Sequence, residues 1–93
     1  MPESVTVYLP SLLHHCADGA REVTVQGETL ASAVENLLRE YPKLRTHIYE
    51  SDGTQREHVL LFYNDENTKY LDSLDIPLQP GDTISITQAV SGG

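Results

Sequence analysis

The stretch GETLASAVENLLREYP, residues 27–42, decides the fold. Leu30, Val34, Leu37, Leu38 and Tyr41 recur at helical spacing, which draws one apolar stripe along an otherwise polar helix. Thr29 stands just ahead of the stripe, where a hydroxyl accepts from the first unpaired backbone amides, and reads as the N-cap. Pro42 has no amide hydrogen and stops the helix there. Such a stripe must be buried against another layer, and the flanking sequence supplies strands.

On the N-terminal side, Ser4 to Leu9 alternates Val5, Val7 and Leu9 with Thr6 and Tyr8, the period of a half-buried strand, before Pro10 interrupts it. Arg21 to Gln26 repeats the alternation through Val23 and Val25, so the two read as a hairpin with a long loop over Ser11 to Ala20, and Gly27 and Glu28 close its second strand. On the C-terminal side, Leu44, Ile48 and Tyr49 suggest a weaker helical turn, and Ser51 to Gln55 a polar loop around Asp52 and Gly53. His58 to Tyr63 has too few polar interruptions for one wet face and reads as a central strand. Asn64 to Asn67 turns the chain out of it, Leu71 to Leu78 reads as a loop with a helical turn, and Pro80-Gly81-Asp82 makes a tight turn. The last strand, Thr83 to about Thr87, sends Ile84 and Ile86 to one side and Thr83, Ser85 and Thr87 to the other.

Strand, strand, helix, strand, short element, strand is the order of an α+β chain with one helix laid across one mixed sheet, because a helix between the two halves rules out a simple hairpin connection. This is the β-grasp layout. The expected organisation is one domain over residues 1–90 and a tail over 91–93. The first and last strands lie side by side at the centre, so the tail leaves the body from a fixed point. Extended residues 90–93 span roughly 13 Å, at about 3.3 Å each, enough to enter a partner's cleft.

The tail ends in Gly92-Gly93. Ordered glycine loses the most conformational entropy and adds no packing, so a diglycine is a poor stability device. A terminal glycine carboxylate has no side chain beside it, which lets a narrow active site close on the backbone and modify the carboxyl carbon. Composition narrows the class further. At 93 residues the chain supports one modest core and no second lobe around a deep active site, which disfavours an autonomous enzyme. Six Lys and Arg against 14 Asp and Glu give a formal charge of -8, which repels a phosphate backbone and argues against nucleic acid. With no apolar run of spanning length and a single cysteine, Cys16, the expectation is a cytoplasmic protein with no membrane partner.

The run Asn64-Asp65-Glu66, Leu74 with Pro80-Gly81-Asp82, the alternating Ile84 and Ile86, and the ending Ala89-Val90-Ser91-Gly92-Gly93 together resemble the ThiS/MoaD family of ubiquitin-like sulfur carriers over nearly the whole chain. The ending is similar to the Ala-Val-Ala-Gly-Gly type of MoaD-like members, with Ser91 in place of the small apolar residue. Length and the stretch from Arg56 to Glu66 resemble the longer CysO-like members of cysteine biosynthesis more than the short thiamine carrier. The resemblance implies that the Gly93 carboxylate is adenylated by an E1-like partner and converted to a thiocarboxylate, with Gly92, Ser91 and Val90 threaded into the partner. It implies ATP and Mg²⁺ in that partner and none in this chain, which has no phosphate-binding glycine loop or Walker-type lysine. The downstream acceptor is either a cysteine-synthase-like enzyme or a molybdopterin synthase large subunit.

Threading has a cost that docking of the body must offset, since ordering four residues loses about 4 to 8 kcal/mol of backbone freedom. A sticky sheet face is therefore expected. Parity puts Val59, Leu61 and Tyr63 against the helix and leaves Leu60 and Phe62 on the opposite face as candidate partner contacts. His14, His15 and Cys16 carry ligand-type side chains, but neighbouring residues diverge and no second ligand cluster is evident, so no metal is expected. Asp65 and Glu66 read as turn residues rather than an acid–base pair. Three functions share this fold: sulfur carrier, ubiquitin-like modifier joined through Gly93 to lysines, and noncovalent interaction module.

Overall fold

The computed structural model describes residues 3–88, and within them the chain forms one five-stranded mixed sheet with order β2-β1-β5-β3-β4. The strands are β1 (Glu3–Tyr8), β2 (Glu22–Gly27), β3 (Val59–Tyr63), β4 (Glu66–Asn67) and β5 (Thr83–Gln88). Two helices, α1 (Leu30–Glu40) and α2 (Lys43–Ile48), lie between β2 and β3. β1 and β2 form the expected antiparallel hairpin, with Val5 opposite Val25 and Val7 opposite Val23. β1 and β5 run parallel at the centre, and β3 pairs antiparallel with β5 from Val59↔Gln88 to Tyr63↔Ile84.

The helix begins where the sequence places it. The Ser32 amide donates to Thr29 Oγ1 at 3.2 Å and the Thr29 amide donates to Ser32 Oγ at 3.0 Å, a reciprocal cap that satisfies two amides at once. The Leu30 and Ala31 amides donate to the carbonyls of Ile76 and Leu74, both at 2.9 Å. The irregular segment before β5 is thereby docked on the start of α1, and the free amides of the helix N-terminus are used up. Gly27 allows the other close approach. A Cβ built there would lie 2.6 Å from the Ala33 nitrogen and 2.9 Å from its Cα, so α1 sits directly on the end of β2.

One face of the sheet meets the helices. Val5, Val7, Val23, Val25, Val59, Leu61, Ile84 and Ile86 are buried on it and join Leu30, Leu37, Leu44 and Ile48 in a single core. Among the described residues no polar or charged side chain is buried.

Four expectations need correcting. The span Ser11 to Ala20, expected as loop, contains a 3₁₀ helix, Ser11–Ala17, whose Leu13, Cys16 and Ala17 are buried. Its apolar positions are spaced three and four apart, and Asp18 ends it in the left-handed conformation (φ 56°). The turn expected from Asn64 to Asn67 is shorter, because Glu66 and Asn67 fold back on β3 as β4. β3 is interior only where β4 covers it, at Phe62 and Tyr63, so the run reads more centrally in sequence than it sits in the sheet. The helical turn expected within Leu71 to Leu78 lies earlier, at Thr68–Tyr70.

Candidate functional site

β5 is the last strand among the described residues, and it is held on both sides. Thr83 to Ser85 pairs with Thr6 to Tyr8 of β1, and Ile84 to Gln88 pairs with β3. Its start is tied down by side chains as well. Asn64, in the left-handed conformation (φ 55°), accepts from the Thr83 amide through Oδ1 at 2.9 Å, while its own amide donates to the Thr83 carbonyl at 2.9 Å. The Asp82 carboxylate accepts from the Tyr63 hydroxyl, from the Gln79 amide at 2.8 Å and from Asn64 Nδ2 at 3.2 Å. Desolvation pushes against ionisation of Asp82, but the donors from Tyr63, Gln79 and Asn64 outweigh it and hold the carboxyl below its usual range. The same bond, with lesser contributions from burial and the nearby charge, pushes the Tyr63 phenol up to about 12. Asn64 and Asp82 lie within the Asn64-Asp65-Glu66 and Pro80-Gly81-Asp82 motifs and give them a structural role: they lock the start of β5.

Val90, Ser91, Gly92 and Gly93, the expected threading segment and reactive end, lie outside the described residues. The last described pair is Gln88 with Val59 at the start of β3.

The face away from the helices is polar except for a few large side chains. Thr6, Thr24, Gln26, Ser85 and Thr87 lie on it, and Leu60 and Phe62 face the same way, neither buried. The expected parity of β3 therefore holds, with both residues partly exposed. The register aligns Tyr8, Ser85 and Phe62 in one row across β1, β5 and β3. Tyr8 is 45% exposed and stands about 10 Å from Phe62 across two strand spacings, with the small Ser85 between them. Sequence reasoning treated Tyr8 only as the polar half of an alternating strand. The signal that would have found it is the parallel β1–β5 register, which is set by tertiary structure.

Beside Leu60, past the end of β4, a groove of about 540 Å³ is lined by Gln55, Arg56, Asn67 and Lys69 as well. Arg56 is not free there, since it donates to Glu50 at 2.7 Å and to the Thr46 carbonyl at 3.0 Å.

The histidine-rich 3₁₀ helix is divided by its geometry. His14 Nε2 donates to the Leu9 carbonyl at 3.1 Å. His15 Nε2 instead lies 3.6 Å from Cys16 Sγ. The ligand set that the sequence did not reveal is completed by α2, which places His47 beside them, and the ligand atoms of His15, Cys16 and His47 all lie within 4.8 Å of one another. No local pattern joins positions 32 residues apart. Asp65 and Glu66 are exposed at the β3–β4 turn and form no buried pair.

No helix among the described residues is long and apolar enough to cross a membrane. Solved structures of similar fold include small archaeal modifier protein 1 from Methanosarcina acetivorans, 27% identical with a TM-score of 0.81, covering 100% of this chain and 99% of that one. The CysO protein of Mycobacterium tuberculosis is 27% identical with a TM-score of 0.79, over 92% of this chain and 99% of its own. In sequence, the sulfur carrier protein CysO of Mycobacterium bovis is 28% identical over 92 residues, 97% of this chain and 99% of that protein. The pattern of the ThiS family matches residues 7–93, from the end of β1 through Gly93, and the chain belongs to that family.

Proposed function

We propose that this protein is a sulfur carrier whose Gly93 carboxylate is activated and thiolated by partner enzymes. The observation that carries the reading is the extent of the family match, which runs through Gly93 itself. The CysO relatives, named as sulfur carrier proteins and matched along 99% of their length, support it.

A carboxylate is a poor electrophile, because its charge is delocalised and oxide is a bad leaving group. Attack of the Gly93 carboxylate on the α-phosphorus of ATP gives an acyl-adenylate and releases pyrophosphate. A sulfur nucleophile from the donor then adds to the acyl carbon and expels AMP. The nucleotide and Mg²⁺ belong to the E1-like partner, and this chain is its protein-sized substrate rather than an enzyme. Its own contribution is positional. A terminal strand hydrogen-bonded on both sides defines where the tail starts, and Val90, Ser91 and Gly92 lead the carboxylate into the cleft. The open sheet face offers Leu60 and Phe62, extended by Tyr8, as the docking surface whose burial offsets the ordering of the tail. The cysteine-synthase-like enzyme is the acceptor favoured by the CysO relatives; a molybdopterin synthase large subunit is the alternative.

Incubating the full chain with its activating enzyme, ATP, Mg²⁺ and a sulfur source should convert part of it to a species with one oxygen replaced by sulfur, seen by intact mass. Deletion of Gly93 should abolish the product while leaving the thermal midpoint unchanged. Full conversion of the deletion variant would refute the assignment. The archaeal modifier fold neighbour favours one second reading, conjugation through Gly93 to lysines of other proteins. That reading predicts larger isopeptide-linked species under the same conditions.

A further inference from the structure

The 3₁₀ helix and α2 bring three metal-ligating side chains to one place at the protein surface. Two imidazoles and one thiol form a donor set suited to borderline and soft ions. His15 is exposed, His47 half-buried and Cys16 buried, so the thiol forms the floor of the cluster and the imidazoles its rim. The distances suit an ion. In a tetrahedral zinc site, bond lengths of about 2.3 Å to sulfur and about 2.05 Å to nitrogen place those two atoms about 3.6 Å apart. Cys16 Sγ and His15 Nε2 are 3.6 Å apart. The His15 and His47 rings meet edge to face, with centroids 5.4 Å apart and planes at 86°. Two imidazoles on one tetrahedral ion have centroids about 5 Å apart, so neither ring needs a large displacement.

We propose that His15, Cys16 and His47 bind a thiophilic divalent ion of the zinc type, with a fourth coordination position open to solvent. On binding, the Cys16 thiol releases its proton to solvent and sulfur coordinates as thiolate, while both imidazoles bind through neutral nitrogen. His14 takes no part, because its Nε2 is engaged with the Leu9 carbonyl. The ion links the β1–β2 connection to α2, two segments otherwise joined only by packing. It therefore stabilises the folded state by an amount that grows with the logarithm of the free ion concentration above Kd.

The test uses the full chain with an unmodified Gly93 carboxylate, verified by intact mass, since a terminal thiocarboxylate is itself a soft ligand. Anaerobic titration with Co²⁺ should give one equivalent of a complex with a thiolate-to-cobalt charge-transfer band and the intense visible bands of four-coordination, and Zn²⁺ should displace it. Cys16→Ser should remove the charge-transfer band, and His47→Ala should weaken Zn²⁺ binding at least tenfold. Zn²⁺ should raise the thermal midpoint of the parent chain and fail to do so for His15→Ala. That variant changes an exposed residue and so keeps its fold even if the Cys16 substitution does not. His14→Ala should bind as the parent does. None of these changes alters the formal charge of -8, so ions held loosely by the acidic surface persist in every variant. Binding without a charge-transfer band, or with undiminished affinity in His47→Ala and His15→Ala, overturns the proposal.

Discussion

The two faces of the sheet are built from the same five strands and obey opposite rules. On the helix-covered face the buried side chains from the four longest strands are valine, leucine and isoleucine, with Tyr63 packed partly buried against them. On the open face the same strands present mainly threonine, serine and glutamine, with Tyr8, Leu60 and Phe62 as the large exceptions. The covered face answers to packing, where each missing methylene leaves a cavity. The open face has no such constraint, and its large apolar side chains contribute less to folding than their size allows. Stability is therefore concentrated on one side of the sheet, and the other side is free to change for recognition.

Leu60 and Leu61 give the sharpest contrast, being the same residue type at successive positions of β3. Leu61 is 3% exposed in the core, whereas Leu60 lies half-buried on the open face. Leu61→Ala should cost about 2 to 5 kcal/mol in denaturant unfolding. Each molecule that remains folded should still be activated normally. Leu60→Ala should cost less than about 1 kcal/mol, as a partly exposed site does, yet raise the KM for the activating enzyme. Equal losses of stability at the two positions would erase the distinction between the faces.

Gly27 tests how tightly the covered side is closed. Its buried Cα faces the Ala33 backbone, and the backbone of a capped helix cannot rotate away as a side chain does. Gly27→Ala should destabilise by about 1 to 3 kcal/mol through overpacking, read as a lower denaturant midpoint at unchanged slope. Gly19 and Gly53 provide the controls, because a Cβ on either meets nothing within 4 Å. Their positive φ values, 87° and 92°, penalise alanine through the backbone alone.

The strands and the capped helix were legible because period-two and helical patterns report burial directly, Thr29 and Pro42 mark the helix ends, and the order of elements placed the first and last strands together at the centre. The parity of Leu60 and Leu61 was legible for the same reason. The 3₁₀ helix was not, since its seven residues are too few for periodicity to show and the exposed Leu12 beside the buried Leu13 blurs the apolar face. β4 was hidden because a two-residue strand has no period. Tyr8 beside Phe62, and His47 beside His15 and Cys16, depend on register and helix placement. Sequence supplied those residues but no signal of their meeting.

At the rim where the two faces meet, Asp82 adds a pH dependence. Its carboxyl is held below the usual range in the folded state, so the stabilisation is present above the unfolded pKa and lost as pH falls through the folded one. Below about pH 4 the parent chain should lose stability that an Asp82→Asn variant never had, and the two unfolding curves should converge. At neutral pH the variant should be less stable by about 1 to 2 kcal/mol, because the donors from Tyr63, Gln79 and Asn64 lose a charged acceptor. A constant gap across the acid range would show that the charge of Asp82 does not contribute.

Tyr63 carries the complementary, smallest effect. Its phenol is pushed up to about 12 from an ordinary value of 10.0, so the protonated form is favoured by folding. Stability from this bond is complete below pH 10 and declines as pH rises toward 12. Tyr63→Phe should cost about 1 kcal/mol at neutral pH, the net worth of one hydrogen bond, and should flatten the alkaline decline. Phenolate absorbance provides the direct check. Among the five tyrosines Tyr49 is also raised, by burial opposed by the Arg45 charge, so Tyr63→Phe should remove one late-titrating phenol and leave Tyr49 in place. If the late phenols of the parent and the variant were equal in number, the Tyr63–Asp82 bond would not persist in solution. The start of β5 would then be held by Asn64 and the strand pairing alone.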